Sequence, residues 1–196
     1  MKKLHAIVAS VFVALGLASC GSSDPGPNLQ VILARTTAAL KTFDAHLKKN
    51  NIQKATNQHM GLFNSFMQRA INLKPPVYKT PIAIKLKKNA TFEGYGDKNA
   101  NGKVDSGEKQ LFKIEIDMTN KRLIATDTSG KSTGRGFSGM GFLAGALIGN
   151  LMGRQRAAGI GANHFNNRKV TSPRSYSSTR SRARSRARSG GLFGGK

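Results

Sequence analysis

The chain has 196 residues, and 32 Lys and Arg stand against 9 Asp and Glu, for a formal net charge of +23. That surplus favours anionic partners and works against cationic ones. One cysteine in the whole chain excludes an intramolecular disulfide framework, and the length suits one modest domain with appended segments.

Met1-Lys2-Lys3 is a short basic start, and the apolar run from Ala6 to Leu17 stops at small residues. This is the layout of a secretory signal over residues 1–19, too short for a relaxed membrane span. Leu17-Ala18-Ser19-Cys20 resembles the lipobox of bacterial lipoproteins. The resemblance implies cleavage before Cys20, diacylglycerol on its thiol and acylation of the new amine, so that membrane lipid is the first partner. Gly21 and Ser22 follow the cysteine without an intervening Asp. In Gram-negative lipoproteins that pattern implies sorting to the outer membrane, and in any case the bacterial cell envelope. Several acyl chains anchor firmly, since each buried methylene contributes about 0.8 kcal/mol. Residues 20–27 form a small polar tether.

From Asn28, a reasonable N-cap, Leu29, Ile32, Thr36, Leu40, Phe43 and Leu47 keep three- and four-residue spacing. Asn50-Asn51 breaks the pattern, and Ile52, Ala55, Met60, Phe63, Met67 and Ile71 resume it before Pro75-Pro76. Residues 28–74 therefore read as an antiparallel helical hairpin. Its Met and Phe residues read as core fillers, and His46 and His59, on different helices without a third ligand, as surface polar groups.

Residues 82–128 read as a small antiparallel sheet. Ile82, Ile84 and Leu86 alternate with Ala83, Lys85 and Lys87, Thr91 to Gly96 forms a second strand, and Phe112, Ile114 and Ile116 line the buried face of a third. Thr119-Asn120-Lys121 is a turn, and Arg122 to Asp127 returns. Helices and strands are segregated along the chain, which makes the class α+β.

Between the second and third strands lies Asp97-Lys98-Asn99-Ala100-Asn101-Gly102-Lys103-Val104-Asp105-Ser106-Gly107-Glu108. Oxygen side chains occupy its positions 1, 3, 5, 9 and 12, with Gly at 6 and an aliphatic residue at 8. The stretch resembles the calcium loop of the EF-hand family. The resemblance implies Ca2+ held by the side chains of Asp97, Asn99, Asn101, Asp105 and Glu108 and by the Lys103 carbonyl, with Val104 turned into the core. An Asn/Gly/Asp-rich polar turn has the same composition. The alternation after Glu108 is that of a strand, where an EF-hand has a helix, so a structural site in a β-context is expected and not the paired-helix switch.

No acidic residue follows Asp127, while thirteen basic ones do. Within this third, residues 137–153 are nearly all apolar or Gly, with Gly141, Gly145, Gly149 and Gly153 at every fourth position. The segment resembles the glycine zipper of some envelope lipoproteins. That implies a Gly-rich apolar helix that self-associates through those four glycines or associates with a membrane, with Arg154 and Arg156 at the headgroups. A flexible Gly-rich linker is the competing reading.

Residues 168–196 are low in complexity and read as a disordered basic tail, densest at Arg180, Arg182, Arg184, Arg186 and Arg188. Behind an export signal, such a tail meets an anionic envelope surface before it meets nucleic acid. The reading is a calcium-binding, lipid-anchored envelope protein with a structural or membrane-interaction role. The alternative is a nucleic-acid- or polyanion-binding protein acting through its Arg/Ser tail. No catalytic constellation is legible, and no enzyme is expected.

Overall fold

A computed structural model describes residues 26–136 and 145–171. Two helices come first, α1 (Leu29–Lys49) and α2 (Asn57–Ile71). Five strands follow, β1 (Ile82–Leu86), β2 (Phe92–Gly96), β3 (Gln110–Asp117), β4 (Arg122–Asp127) and β5 (Ser132–Gly136). A third helix, α3 (Ala146–Ala157), and a 3-10 turn at Ala162–Phe165 complete the described order. The strands form one antiparallel meander in the order β1-β2-β3-β4-β5, and the class is α+β.

Asn28 caps α1 as its residue type suggests, its Oδ1 accepting from the N–H groups of Gln30 and Val31 at 3.1 and 3.3 Å. Arg35, early in α1, donates to the carbonyls of Ile71, Leu73 and Pro75, each at 2.7 Å. The start of α1 thus lies beside the end of α2, and the pair is antiparallel. Helix α1 buries Leu33, Thr37, Ala39 and Asp44 as well as the expected stripe, because it packs against α2, β4 and β5 at once. Histidine 59 closes the start of α2, its Nδ1 accepting from the Thr56 N–H at 3.1 Å.

Register explains the core. Ile82 and Ile84 of β1 lie opposite Gly96 and Gly94, Phe92 opposite Ile114, Ile114 opposite Ala125 and Ile116 opposite Leu123. Side chains two apart share a face, so these residues form one apolar surface, which joins Met60, Phe63, Met67 and Ile71 of α2 in a single core. The Phe63 and Phe92 rings meet edge-on, with centroids 5.6 Å apart.

A row of amides on α2 covers the outer edge of β1. Asn72 Oδ1 accepts from the Ile82 N–H at 2.8 Å, and its Nδ2 donates to the Ile82 carbonyl, also at 2.8 Å. Gln68 Oε1 accepts from the Ile84 N–H at 2.8 Å, and Asn64 Nδ2 donates to the Ile84 carbonyl at 2.8 Å. Three amides at helical i, i+4, i+8 spacing thereby take the place of a sixth strand. An uncovered edge is a template for pairing with another chain. Asn72→Ala is expected to cost about 1–3 kcal/mol, the penalty for stranding partly buried backbone groups, and to promote self-association. Urea melts and sedimentation at two protein concentrations check both.

The structure departs from the sequence expectation at the C-terminal side in three ways. Strand β5 lies beyond residue 128 and was not expected, since Ser-Thr-Gly-Arg-Gly carries no apolar alternation. Of the apolar segment expected over 137–153, residues 137–144 lie outside the described residues; helix α3 spans Ala146–Ala157 and turns Leu147, Ile148 and Leu151 into the shared core. Asn150 Nδ2 and Gln155 Nε2 fasten it to the carbonyls of Ala55 and Ile116, each at 2.9 Å. Among the described residues, no helix is long and apolar enough to cross a membrane.

The third departure concerns residues 168–171, expected in the tail. Arg168 Nη2 donates to Glu115 Oε2 at 2.7 Å, and Thr171 bridges in parallel to Thr133 on the β5 edge. Glu115 is buried, and a buried carboxylate needs a partner. Arg168 shares that role with Lys113, whose Nζ stands 3.3 Å from the same oxygen, and is thereby held on the sheet.

Candidate metal centre

Residues 97–108 join β2 to β3, so the loop is the tip of a long hairpin. Its neck is closed by the Gly96 N–H donating to the Lys109 carbonyl at 3.0 Å, and by the Asp97 N–H donating to Pro81 at 2.9 Å. Gly94 pairs with Phe112 but Tyr95 with Gln110, so Leu111 is an extra residue in β3 and turns into the core. A bulge bends the strand that carries it and re-aims its side chains. Here it sits where the strands part to form the loop.

Asp97 organises the interior of the loop. Its Oδ1 accepts from the Asn101 N–H at 3.1 Å and its Oδ2 from the Gly102 N–H at 2.7 Å. The side chain is only 2% exposed as a residue, so these two donors are its solvent. Gly102 turns with φ +74°, Gly107 with φ +82° and Ala100 with φ +55°. The first two positions suit glycine, and alanine at the third is an unfavourable left-handed residue. Asn101 Oδ1 accepts from the Lys103 N–H at 2.7 Å, an Asx turn.

Glu108 reaches across the mouth. Its Oε1 accepts from the Lys98 N–H at 3.1 Å and its Oε2 from the Asp105 N–H at 3.0 Å, so one carboxylate ties both limbs of the loop. Asp105 Oδ2 in turn accepts from Asn99 Nδ2 at 2.9 Å and Asn101 Nδ2 at 2.7 Å. Asp97, Asn99, Asn101, Lys103, Asp105 and Glu108 are thus linked in one hydrogen-bonded loop. Their donor set, three carboxylates, two amide oxygens and a carbonyl, is all hard oxygen and suits calcium. Among the described residues, no three His, Cys, Asp or Glu side chains are grouped so as to hold a metal ion. Turning the Asn99 and Asn101 amides is the local change that would aim their oxygens where their nitrogens now meet Asp105.

One expectation for the loop is corrected. Val104 is half-buried and stands outside the main core, because the loop is a hairpin tip with no flanking helix to receive it. The anchor is Gln68 of α2, whose Nε2 donates to the Gly102 carbonyl at 3.0 Å. The same amide holds the Ile84 N–H, so one side chain ties the loop, the edge strand and the helical hairpin together. Its position in the row 64, 68, 72 is visible in the sequence, but its partner is backbone and leaves no trace there.

The Asn99 and Asn101 amides, with the Lys103 charge nearby, hold the Asp105 carboxyl below the usual carboxylate range. A carboxyl with a lowered folded pKa contributes stability above its unfolded value and loses it as pH falls through the folded one. In chelator, the melting temperature of Asp105→Asn is therefore expected to fall less than the parent's as pH drops below about 4. Parallel acid limbs would show that the two amides do not stabilise the charge.

The other sequence-predicted sites divide sharply. Cys20, Gly141, Arg180, Arg182, Arg184, Arg186 and Arg188 lie outside the described residues. Gly145 is the N-cap of α3, while Gly149 and Gly153 face an open groove, with no atom within 4 Å of an added Cβ. That groove also runs past Gln53, Ala55 and Asn57. Arg154 is held within the domain, donating to Asn150 Oδ1 at 3.0 Å and Asn57 Oδ1 at 2.7 Å. Arg156 is exposed on the last turn of α3. Comparison with known protein families, with curated proteins and with solved structures finds no match.

Proposed function

We propose that this protein is a lipid-anchored envelope protein whose α+β domain is stiffened by calcium in the loop from Asp97 to Glu108. Its role is structural or membrane-directed and does not involve catalysis. The observation that carries the reading is Glu108, twelfth in an EF-hand-type spacing, whose two oxygens already tie opposite limbs of the loop. In this reading Asp97, Asn99, Asn101, Asp105 and Glu108 offer side-chain oxygens and Lys103 its carbonyl. Calcium supplies positive charge to a loop in which Asp97, Asp105 and Glu108 would otherwise repel one another, and so stabilises the folded state by mass action. Lipid on Cys20 holds the domain at the membrane, and the basic C-terminal segment adds attraction to anionic envelope surfaces.

The test is calorimetric titration of the mature chain carrying Cys20→Ser, with calcium and then magnesium. Saturable one-site binding selective for calcium is the expected result. No heat and no thermal shift at about 1 mM calcium, the weak end of such sites, would overturn the metal reading.

A further inference from the structure

We infer that the outer face of α2 is a lipid-contacting surface, which seats the helical hairpin in the headgroup region of an anionic bilayer. Leu62 and Phe66 on α2, and Leu73 just past its end, are 54%, 38% and 59% exposed, and Leu62, Phe66 and Arg69 follow i, i+4, i+7 spacing. That spacing is one face of a helix, and it turns away from the core face of Met60, Phe63, Met67 and Ile71. The helix is therefore apolar on two sides, one filled by the sheet and one left partly outside, where the Phe66 ring also meets Phe43 of α1 with centroids 6.1 Å apart.

Charge selects the occupant. Helix α2 carries Arg69 and no acidic residue. In α1, Arg35, Lys41, Lys48 and Lys49 face a single acid, Asp44, which Lys48 already pairs at 2.8 Å. Arg69 shares the face of Leu62 and Phe66, and Arg35 holds the Leu73 carbonyl. A hairpin rich in basic residues with exposed large apolar ones has the composition of helices that lie in an anionic membrane interface. Three side chains fall well short of the roughly 800 Å2 per partner that a stable protein interface buries.

Geometry agrees, and here the inference rests on the lipid-anchored reading. The Asn28 N–H donates to the Val77 carbonyl at 3.4 Å, and Arg35 holds the Leu73 carbonyl, so the tether enters beside the end of α2. Eight residue steps from Cys20 to Asn28 reach about 26–29 Å when extended. The helix itself is about 22 Å long at its 15 residues. The anchor is thus long enough to let α2 lie flat and short enough to keep it near the surface.

The chain has no Trp, so Phe66→Trp makes a single reporter. The mature chain with Cys20→Ser and F66W is mixed with vesicles of phosphatidylglycerol and phosphatidylethanolamine in 0.5 M salt, which screens the Arg-rich tail. Its emission is expected to shift to the blue, and a shift insensitive to vesicles would overturn the inference. In a sedimentation assay, Leu62→Ser with Phe66→Ser and Leu73→Ser is expected to weaken partitioning about tenfold or more, a modest share of burying three such side chains. Unchanged partitioning, or loss of a dimer with partitioning intact, would assign the face elsewhere. The anchor reading fails by a different measurement, a Cys20 thiol found without lipid by mass spectrometry of membrane fractions.

Discussion

Gly94→Ala is expected to destabilise the domain by about 1–3 kcal/mol, the usual cost of overpacking a filled core, or by more. Gly94 lies opposite Phe112 in the β2–β3 register, and the phenyl ring lies over the place a side chain would occupy. A Cβ there would stand 2.2, 2.4 and 2.7 Å from three ring carbons. Phe112 is fully buried and part of the same cluster as Phe63 and Phe92, so its ring has nowhere to retreat. The requirement for glycine is one of space. Phe112→Leu removes the obstructing ring atoms at its own cost, so the double variant should be less damaged than the two single changes added together. Urea midpoints of the four proteins decide the point. A Gly94→Ala protein within about 0.5 kcal/mol of the parent, the range of ordinary surface changes, would mean that the ring shifts freely.

The second large effect separates the loop's scaffold from the calcium affinity proposed for it. Asp97→Ala is expected to lower stability already in chelator, by about 1–3 kcal/mol, because two N–H groups lose a charged acceptor, and by more in calcium, because a proposed ligand is lost as well. Those groups belong to Asn101 and Gly102, inside the turn. Asp105→Asn should behave differently. Asp105 is exposed, and an asparagine oxygen can still accept from the Asn99 and Asn101 amides. Near neutral pH in chelator its melting temperature is expected to fall only slightly, by the small contribution of this exposed charge. In calcium it should lose most of the stabilisation that a ligand at a hundred times its Kd provides, about 2.7 kcal/mol, since fewer anionic ligands mean weaker binding. Thermal melts of both variants in both buffers test the division. Equal losses for Asp105→Asn in calcium and chelator would remove the metal from the account.

The α+β class, the two helices, four of the five strands and the loop at a strand connection were legible because each follows from local periodicity. Phe112, Ile114 and Ile116 declare a buried face wherever the strand sits, and Asn28 declares a cap. Strand β5 was not legible, since Ser132–Gly136 has no apolar alternation and is held by backbone pairing with β4 and Thr171 and by the Ser132 and Thr133 hydroxyls. For α3, spacing suggested a glycine face for self-association or membrane contact, and Gly149 and Gly153 lie on an open groove. The burial of Leu147, Ile148 and Leu151 on the domain was not legible, because it depends on the apolar surface that the hairpin and sheet offer.

The spacing of oxygen-bearing residues from Asp97 to Glu108 is a property of the chain itself, as are the lipobox-like start and the absence of acids after Asp127. Ligand order within twelve residues is local, and charge needs no fold. Only the tertiary structure decided that Gln68 holds both Gly102 and Ile84, that Arg168 answers Glu115 across 53 residues, and that Leu62, Phe66 and Leu73 are left outside. Each of these depends on which surfaces remain after the core has closed. Periodicity marks a residue as apolar or polar, but the partner that satisfies it is set by packing between segments distant in the chain.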